Sequence, residues 1–376
     1  MELPADLTVL AGLSQTLALA RGGAVVSAQV KVPADDTWPL LSGKIPLGLL
    51  ARLLADLPEP PPEVRLGARI GEDACAIEIP SGLLVVAADP ITLTSEDIGR
   101  LSVIVNANDV AVSGARPRWF LAVVLVPPAT SGRVIRDLFA AVQRALSDLG
   151  AYLVGGHTEV TPAVNRPIVV GQMLGLAETG TVVTTGGFGP GNVVLQVRAA
   201  PIEGAAVLAC EAADRLHGLD PIVLEAARAA LDRPGISVVE AALLAAELGV
   251  KALHDPTEGG LAAGLHEMAH AAGVRIRIER ELVLWFEPGI SVCQALGADP
   301  WSTLASGTLL AVFPPEAAAT ALPAFADQGH RAAVIGTTEP GAGVIDTDGH
   351  AIPWPERDEV ARLLSAKGSP GTASEA

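Results

Sequence analysis

Between Thr94 and Gly114 lies a helix-forming run that limits every fold open to this sequence. Ile98, Leu101, Ile104, Val105 and Val112 recur at helical spacing, and Gly114 supplies a stop. Thr94 and Asp97 have the spacing of a capping box, and Leu93 with Ile98 that of a hydrophobic staple, so the helix is predicted to start at Thr94. In its middle, Asn106 and Asp109 are three residues apart and share a face. An amide and a carboxylate inside an apolar helix cost free energy unless they are hydrogen-bonded, paired or bound to a metal. This helix therefore needs a polar partner: a hydrogen-bond network, an oligomer contact or a metal site would each satisfy it.

The flanking sequence alternates strand and helix patterns. Ala74–Ile79 and Leu83–Ala88, parted by Pro80-Ser81-Gly82, read as a hairpin, and Trp119–Val126 as a strand. Ser131 can cap a helix carrying Val134, Leu138, Val142 and Leu149, and strands follow at Ile168–Leu176 and Val193–Val197. The turn-rich Thr185–Asn192 places a domain boundary near residue 180. Beyond it, helices are predicted at 202–214, 236–248, 260–272 and 314–327, with strands at 273–278, 308–313 and 332–335. Over 376 residues this gives two cores in an α/β or α+β arrangement: an extension or lid at 1–40, domains at 41–180 and 181–365, and a frayed tail at 366–376.

A net charge of −17 and the lack of a basic cluster argue against nucleic-acid binding, but they allow an anionic substrate held through a divalent cation. Cys75, Cys210 and Cys293 are too dispersed for a disulfide framework, and Met1-Glu2-Leu3-Pro4 opens neither a signal peptide nor a membrane span. A cytoplasmic protein is expected, with no membrane partner.

Acidic residues recur at the ends of these elements. Gly71-Glu72-Asp73 enters the first hairpin strand, where a turning chain exposes N–H groups to phosphate oxygens and a cation. Asp89-Pro90 leaves the second, putting a carboxylate at a strand rim. Both are also ordinary turn or cap compositions. In Gly155-Gly156-His157-Thr158-Glu159, placed after a strand at 151–154, the glycines permit close approach. Glu159 there suits a cation ligand or base, and His157 a phosphate donor or acid. In His254-Asp255-Pro256-Thr257-Glu258-Gly259-Gly260, Asp255 and Glu258 have capping-box spacing, with Pro256 at the first helical position. The same geometry offers helix-end amides to an anion and sets Asp255 against a substrate. Lys44 and Arg69 are the nearest cations for phosphate groups. Mg²⁺ takes octahedral oxygen ligands, so carboxylates converging from separate elements suit it. His266-Glu267-Met268-Ala269-His270 matches a zinc-protease pattern, but no third ligand is evident and zinc is set aside.

Taken in order, Gly71-Glu72-Asp73-Ala74, Asp89-Pro90, Asn106-Ala107-Asn108-Asp109-Val110-Ala111, Gly114-Ala115-Arg116-Pro117, Gly155–Glu159 and His254–Gly260 resemble the AIR synthase (PurM-like) superfamily, nearest its HypE and AIR-synthase-related branch. The resemblance spans Lys44 to about Gly336. It implies a two-domain α/β (α+β) fold, with a ferredoxin-like N-terminal half forming a barrel across a homodimer and a C-terminal α/β domain closing over the substrate. It implies bound ATP and Mg²⁺, with Asp73, Asp89, Asp109 and Glu159 on the metal. Lys44, Arg69, Gly71, Asn106, Gly155 and Gly156 would then surround the nucleotide, with Asp255, Glu258 and His157 on the catalytic side. The implied reaction is ATP-driven phosphorylation of an oxygen on a small-molecule or carboxamide acceptor. The alternatives are a kinase resembling thiamine-monophosphate kinase and a non-catalytic, nucleotide-binding assembly protein resembling HypE. The sequence ends Ala373-Ser374-Glu375-Ala376, without the terminal cysteine that carries the carbamoyl group in HypE, so HypE's own activity is not expected. No cysteine precedes Cys75, which argues against selenophosphate synthetase.

Overall fold

The computed structural model describes residues 64–66, 70–71, 75–79, 82–92, 94, 97–128, 130 and 132–365. The expectations placed on residues 1–40, Lys44, Arg69, Asp73, Leu93, Ser131 and the tail 366–376 lie outside the described residues.

The first half forms a six-stranded sheet from β1 (Val64–Leu66), β2 (Cys75–Ile79), β3 (Gly82–Ile91), β4 (Arg116–Val126), β5 (Tyr152–Val160) and β6 (Ile168–Ala177). Their order is β1-β2-β3-β6-β4-β5, antiparallel except for the parallel pair β4 and β5. The predicted hairpin is β2 and β3, in register from Cys75 opposite Val86 to Ile79 opposite Gly82. Strands β3, β4 and β6 alternate buried and part-exposed residues, as expected of a sheet with one covered face. The cover is α1 (Ile98–Val112), backed by α2 (Gly132–Leu149).

The second half is another six-stranded sheet, of β7 (Val193–Val197), β8 (Ala252–His254), β9 (Arg275–Ile278), β10 (Leu309–Phe313), β11 (Ala332–Glu339) and β12 (Gly343–Asp346). Its order is β12-β9-β11-β7-β10-β8, with only β12 and β9 parallel. Around it lie α3 (Glu203–Glu211), α4 (Pro221–Arg228), α5 (Val239–Glu247), α6 (Gly260–Ala272), α7 (Glu287–Leu296), α8 (Pro315–Asp327) and α9 (Glu359–Ser365).

Helix α1 joins the halves. A single hydrophobic cluster runs from Leu101, Val105 and Phe120 to Leu195, Ile236 and Phe313. Across it, the Asn108 side chain donates to the Ile236 carbonyl at 2.9 Å and accepts from the Val238 N–H at 2.8 Å. The helix starts later than its sequence predicts. Asp97 takes the N-cap position in a left-handed conformation (φ 48°) without a side-chain cap bond, and Thr94 is buried in the connection from β3. The capping box between Thr94 and Asp97 is therefore not formed.

Candidate active site

The site grows from the end of β3. Asp89 pairs with Gly171 on β6, and its backbone is gripped from above by α1. The Asp89 N–H donates to Asn106 Oδ1 at 2.7 Å, while Asn106 Nδ2 donates to the Asp89 carbonyl at 3.1 Å and to the Ser102 carbonyl at 2.8 Å. The fully buried Asn106 amide thus fixes the segment that carries the Asp89 carboxylate. The close approach depends on Gly171, where a Cβ would lie 2.4 Å from Asn106 Nδ2.

The second half contributes the other wall. Asp89, Pro90, Thr94, Glu203, Glu258 and Ser306 are among the residues lining a cleft of about 140 Å³. Glu203 opens α3, and Glu258 precedes α6. The expected capping box of Asp255 and Glu258 is replaced: α6 begins at Gly260, after a left-handed Gly259 whose N–H donates to Asp358 Oδ2 at 2.8 Å. The cap thus comes from a distant segment, and Glu258 faces the cleft.

Three carboxylates from separate segments line this cleft, and the Glu203 carboxyl registers the other two. Burial raises the Glu203 carboxyl to about 7; the charges of Asp358, Asp89 and Glu258 raise it too, against a hydrogen bond from Ser306. Burial likewise lifts Asp358 to about 7, opposed by the Gly259 and Val360 N–H groups and reinforced by Glu258. The Asp89, Glu203 and Glu258 carboxylates share this cleft with Thr94, Thr257 and Ser306, oxygen-bearing residues of the kind a hard divalent cation takes, but the three carboxylates are not gathered into one coordination sphere. Among the described residues, Asp346, Asp348 and His350 are the acidic and imidazole groups whose ligand atoms lie within 4.8 Å of one another.

Other predicted residues fall nearby or elsewhere. Gly71 accepts a 2.6 Å hydrogen bond from Thr185 and lies against Glu267 of α6, so its loop meets the second half. Asp255 is buried where β8 ends. Asp109 is buried one turn beyond Asn106 on α1, outside the cleft wall. The segment Gly155–Glu159, expected after a strand, lies inside β5, where a register shift marks a bulge. Gly156 (φ 145°) is required there, because a Cβ would sit 2.0 Å from the Ala122 carbonyl oxygen.

His157 and Glu159 are exposed, 3.8 Å apart, on the edge strand. One row of paired residues runs Asp89, Gly171, Ala122, Gly156, and the next runs Pro90, Val170, Val123, His157. His157 and Glu159 are thus on the opposite sheet face from Asp89 and about 14 Å away across the strands. Within one chain, Asp89 and Glu159 are too far apart to share one ion.

The zinc-protease pattern is accounted for by packing. His266 Nε2 donates to the Ile352 carbonyl at 2.7 Å while its ring stacks on Trp354, and Glu267 pairs with the buried His254 at 2.7 Å. Sequence reasoning missed Glu203 and Asp358. The available signal at Glu203 was a lone acid ahead of the uninterrupted apolar run Gly204–Ala209.

Two helix-covered sheets bridged by a buried helix, with carboxylates of both halves lining one cleft, define a two-domain α/β protein. The chain belongs to the AIR synthase related family: residues 71–177 match its N-terminal domain and residues 189–348 its C-terminal domain. The resemblance carried by the motifs therefore holds. Carbamoyl dehydratase HypE of Rhodobacter capsulatus is 30% identical over 73% of this chain and 81% of its own length. Among solved structures, the HypE–HypF complex superposes with TM-score 0.68 at 24% identity, covering 82% of this chain and 99% of the matched one. The hydrogenase maturation protein HypE in complex with ATP superposes with TM-score 0.62 at 24% identity, covering 81% and 96%. Among the described residues, no helix is long and apolar enough to cross a membrane.

Proposed function

We propose that this chain is an ATP- and Mg²⁺-dependent enzyme that activates an oxygen of a small-molecule or carboxamide acceptor, and that the acidic cleft is the phosphate-and-metal end of its site. The observation that carries this reading is the convergence of Asp89, Glu203 and Glu258 from three segments on one cleft. In support, a relative 30% identical is a carbamoyl dehydratase, and one structure of the same fold holds ATP.

In this reading Asp89 and Glu258 hold Mg²⁺, with Asn106 fixing Asp89 in place. Bound there, Mg²⁺ would screen the phosphate charge during attack by the acceptor oxygen. Glu203, raised to about 7, exchanges a proton at neutral pH and serves as the acid or base for the acceptor oxygen. Lys44 and Arg69 are assigned to the nucleotide and Asp73 to the metal, as the family resemblance implies.

We assign residues 41–180 to nucleotide binding and dimerisation, and residues 181–365 to the substrate side. Strand β5 is the sheet edge, and Tyr152, Val154 and Val160 on it are exposed, which supports barrel closure with a second copy. His157 and Glu159 would then act on that open face rather than in the Asp89 cleft.

Calorimetric titration with a non-hydrolysable ATP analogue tests the reading. Binding should require Mg²⁺, and Asp89→Asn should weaken it about tenfold or more with no loss of melting temperature. A folded chain that binds no analogue, or an Asp89→Asn variant of parental affinity, would refute it.

A further inference from the structure

A larger cavity, of about 680 Å³, opens where α1, the C-terminal end of α2, the segment following β7 and the turn before β11 meet. It also spans both halves, but its chemistry is the reverse of the acidic cleft. Arg198 lines it from a left-handed backbone position (φ 68°). Its guanidinium donates to the Ser237, Pro234 and Gly235 carbonyls, and it forms no ion pair among the described residues. Carbonyl oxygens orient a guanidinium without neutralising it, so this part-buried charge keeps its attraction for an anion. Three bonds also leave two of its five N–H groups for another acceptor.

The neighbouring groups agree. His330 Nε2 is buried in the same wall without a hydrogen-bond partner. Burial and the Arg198 charge both hold the His330 pKa below its usual value, against the opposing charge of Glu240. Arg331 stands exposed at the rim, and its carbonyl accepts the Arg198 backbone N–H at 2.7 Å. Arg100, by contrast, is already paired with Asp97 and Asp232. The wall carboxylates Asp148 and Glu240 are both exposed. Ile104, Leu149 and Ile202 supply an apolar lining, and the volume is that of a small-molecule site.

We propose that this cavity binds a small oxyanion carried on an apolar body, with Arg198 and His330 as its hydrogen-bond donors and Arg331 steering it at the mouth. The oxyanion is a phosphoryl or carboxylate group. The site is separate from the acidic cleft and does not depend on the reading of that cleft.

The test titrates the full chain with phenyl phosphate and, in parallel, with benzoate. Saturable binding of either probe is expected, and the tighter of the two identifies the anion. Because Arg198 also holds backbone carbonyls, the informative variants are His330→Leu and Arg331→Ala. Each should weaken the probe several-fold, and together about tenfold or more, without shifting the melting temperature or the affinity for the ATP analogue. Asp89→Asn should leave probe binding unchanged. The proposal is overturned if neither probe binds, if both variants bind like the parent, or if the ATP analogue or Asp89→Asn abolishes binding, which would put the anion in the acidic cleft.

Discussion

Replacing Glu203 by Gln should stabilise the chain at pH 8 and leave it nearly unchanged at pH 4.5. Burial, with the charges of Asp358, Asp89 and Glu258, lifts this carboxyl from its ordinary 4.5 to about 7. The folded chain therefore keeps a proton that the unfolded chain releases between those values. Stability attached to this group is full below about pH 4.5, falls as pH rises through the window, and is gone above about pH 7. A displacement of that size corresponds to about 3 kcal/mol. Gln has the same shape but nothing to ionise, so at pH 8 it escapes the cost. With an unfolding entropy of about 2.1 cal/mol/K per residue over 376 residues, the gain amounts to about 4 °C in melting temperature. Scanning calorimetry from pH 4.5 to 8, with chelator present, measures it directly. Adding Mg²⁺ at pH 8 should then raise the parent's melting temperature more than the variant's, because the cation relieves the same repulsion. A variant no more stable than the parent at pH 8, or equally favoured at both pH values, would show that Glu203 is not the strained acid described here.

Asn106→Ala removes the partner of both Asp89 backbone groups and should cost about 2–3 kcal/mol, read as a lower urea midpoint at unchanged slope. Gly156→Ala forces a Cβ into the Ala122 carbonyl and should cost about 3 kcal/mol or more, with hydrogen exchange accelerating first in the amides of β5.

Much of the fold was legible because long apolar stretches bounded by turn formers are themselves what a core buries. The runs that became Ile98–Val112, Gly260–Ala272 and Arg116–Val126 stood out by length and apolar content, and Ile98–Val112 is buried on nearly all sides. Element ends were less legible, because the groups that satisfy them come from elsewhere. Gly259 is capped by Asp358, which no local pattern around Asp255 and Glu258 could announce. Short elements such as Ala252–His254 and Gly343–Asp346 hold too few residues for a period to emerge; they are strands because neighbours at distant positions pair with them. Gly155-Gly156 carried a true signal of close backbone approach, but the approaching backbone is Ala122 within the sheet.

The candidate site divides along the same line. Asp89, Asn106 and Glu258 stood out because polar groups amid apolar or turn-forming sequence need a reason, and the fold supplies one by bringing them to one junction. Glu203 looks, from sequence, like an ordinary acid in the first turn of a helix, a place where negative charge is welcome. What changes its character is not local. Buried beside Ser306 and within reach of Asp358, Asp89 and Glu258, it becomes a group that titrates near neutrality. Residue types and spacing therefore reveal which side chains need a partner, whereas the raised Glu203 carboxyl is set first by burial at the junction and then by the charges brought against it. A comparison of Glu203→Gln with Asp89→Asn separates these roles: the first should move the pH dependence of stability, and the second mainly the affinity for Mg²⁺ and nucleotide.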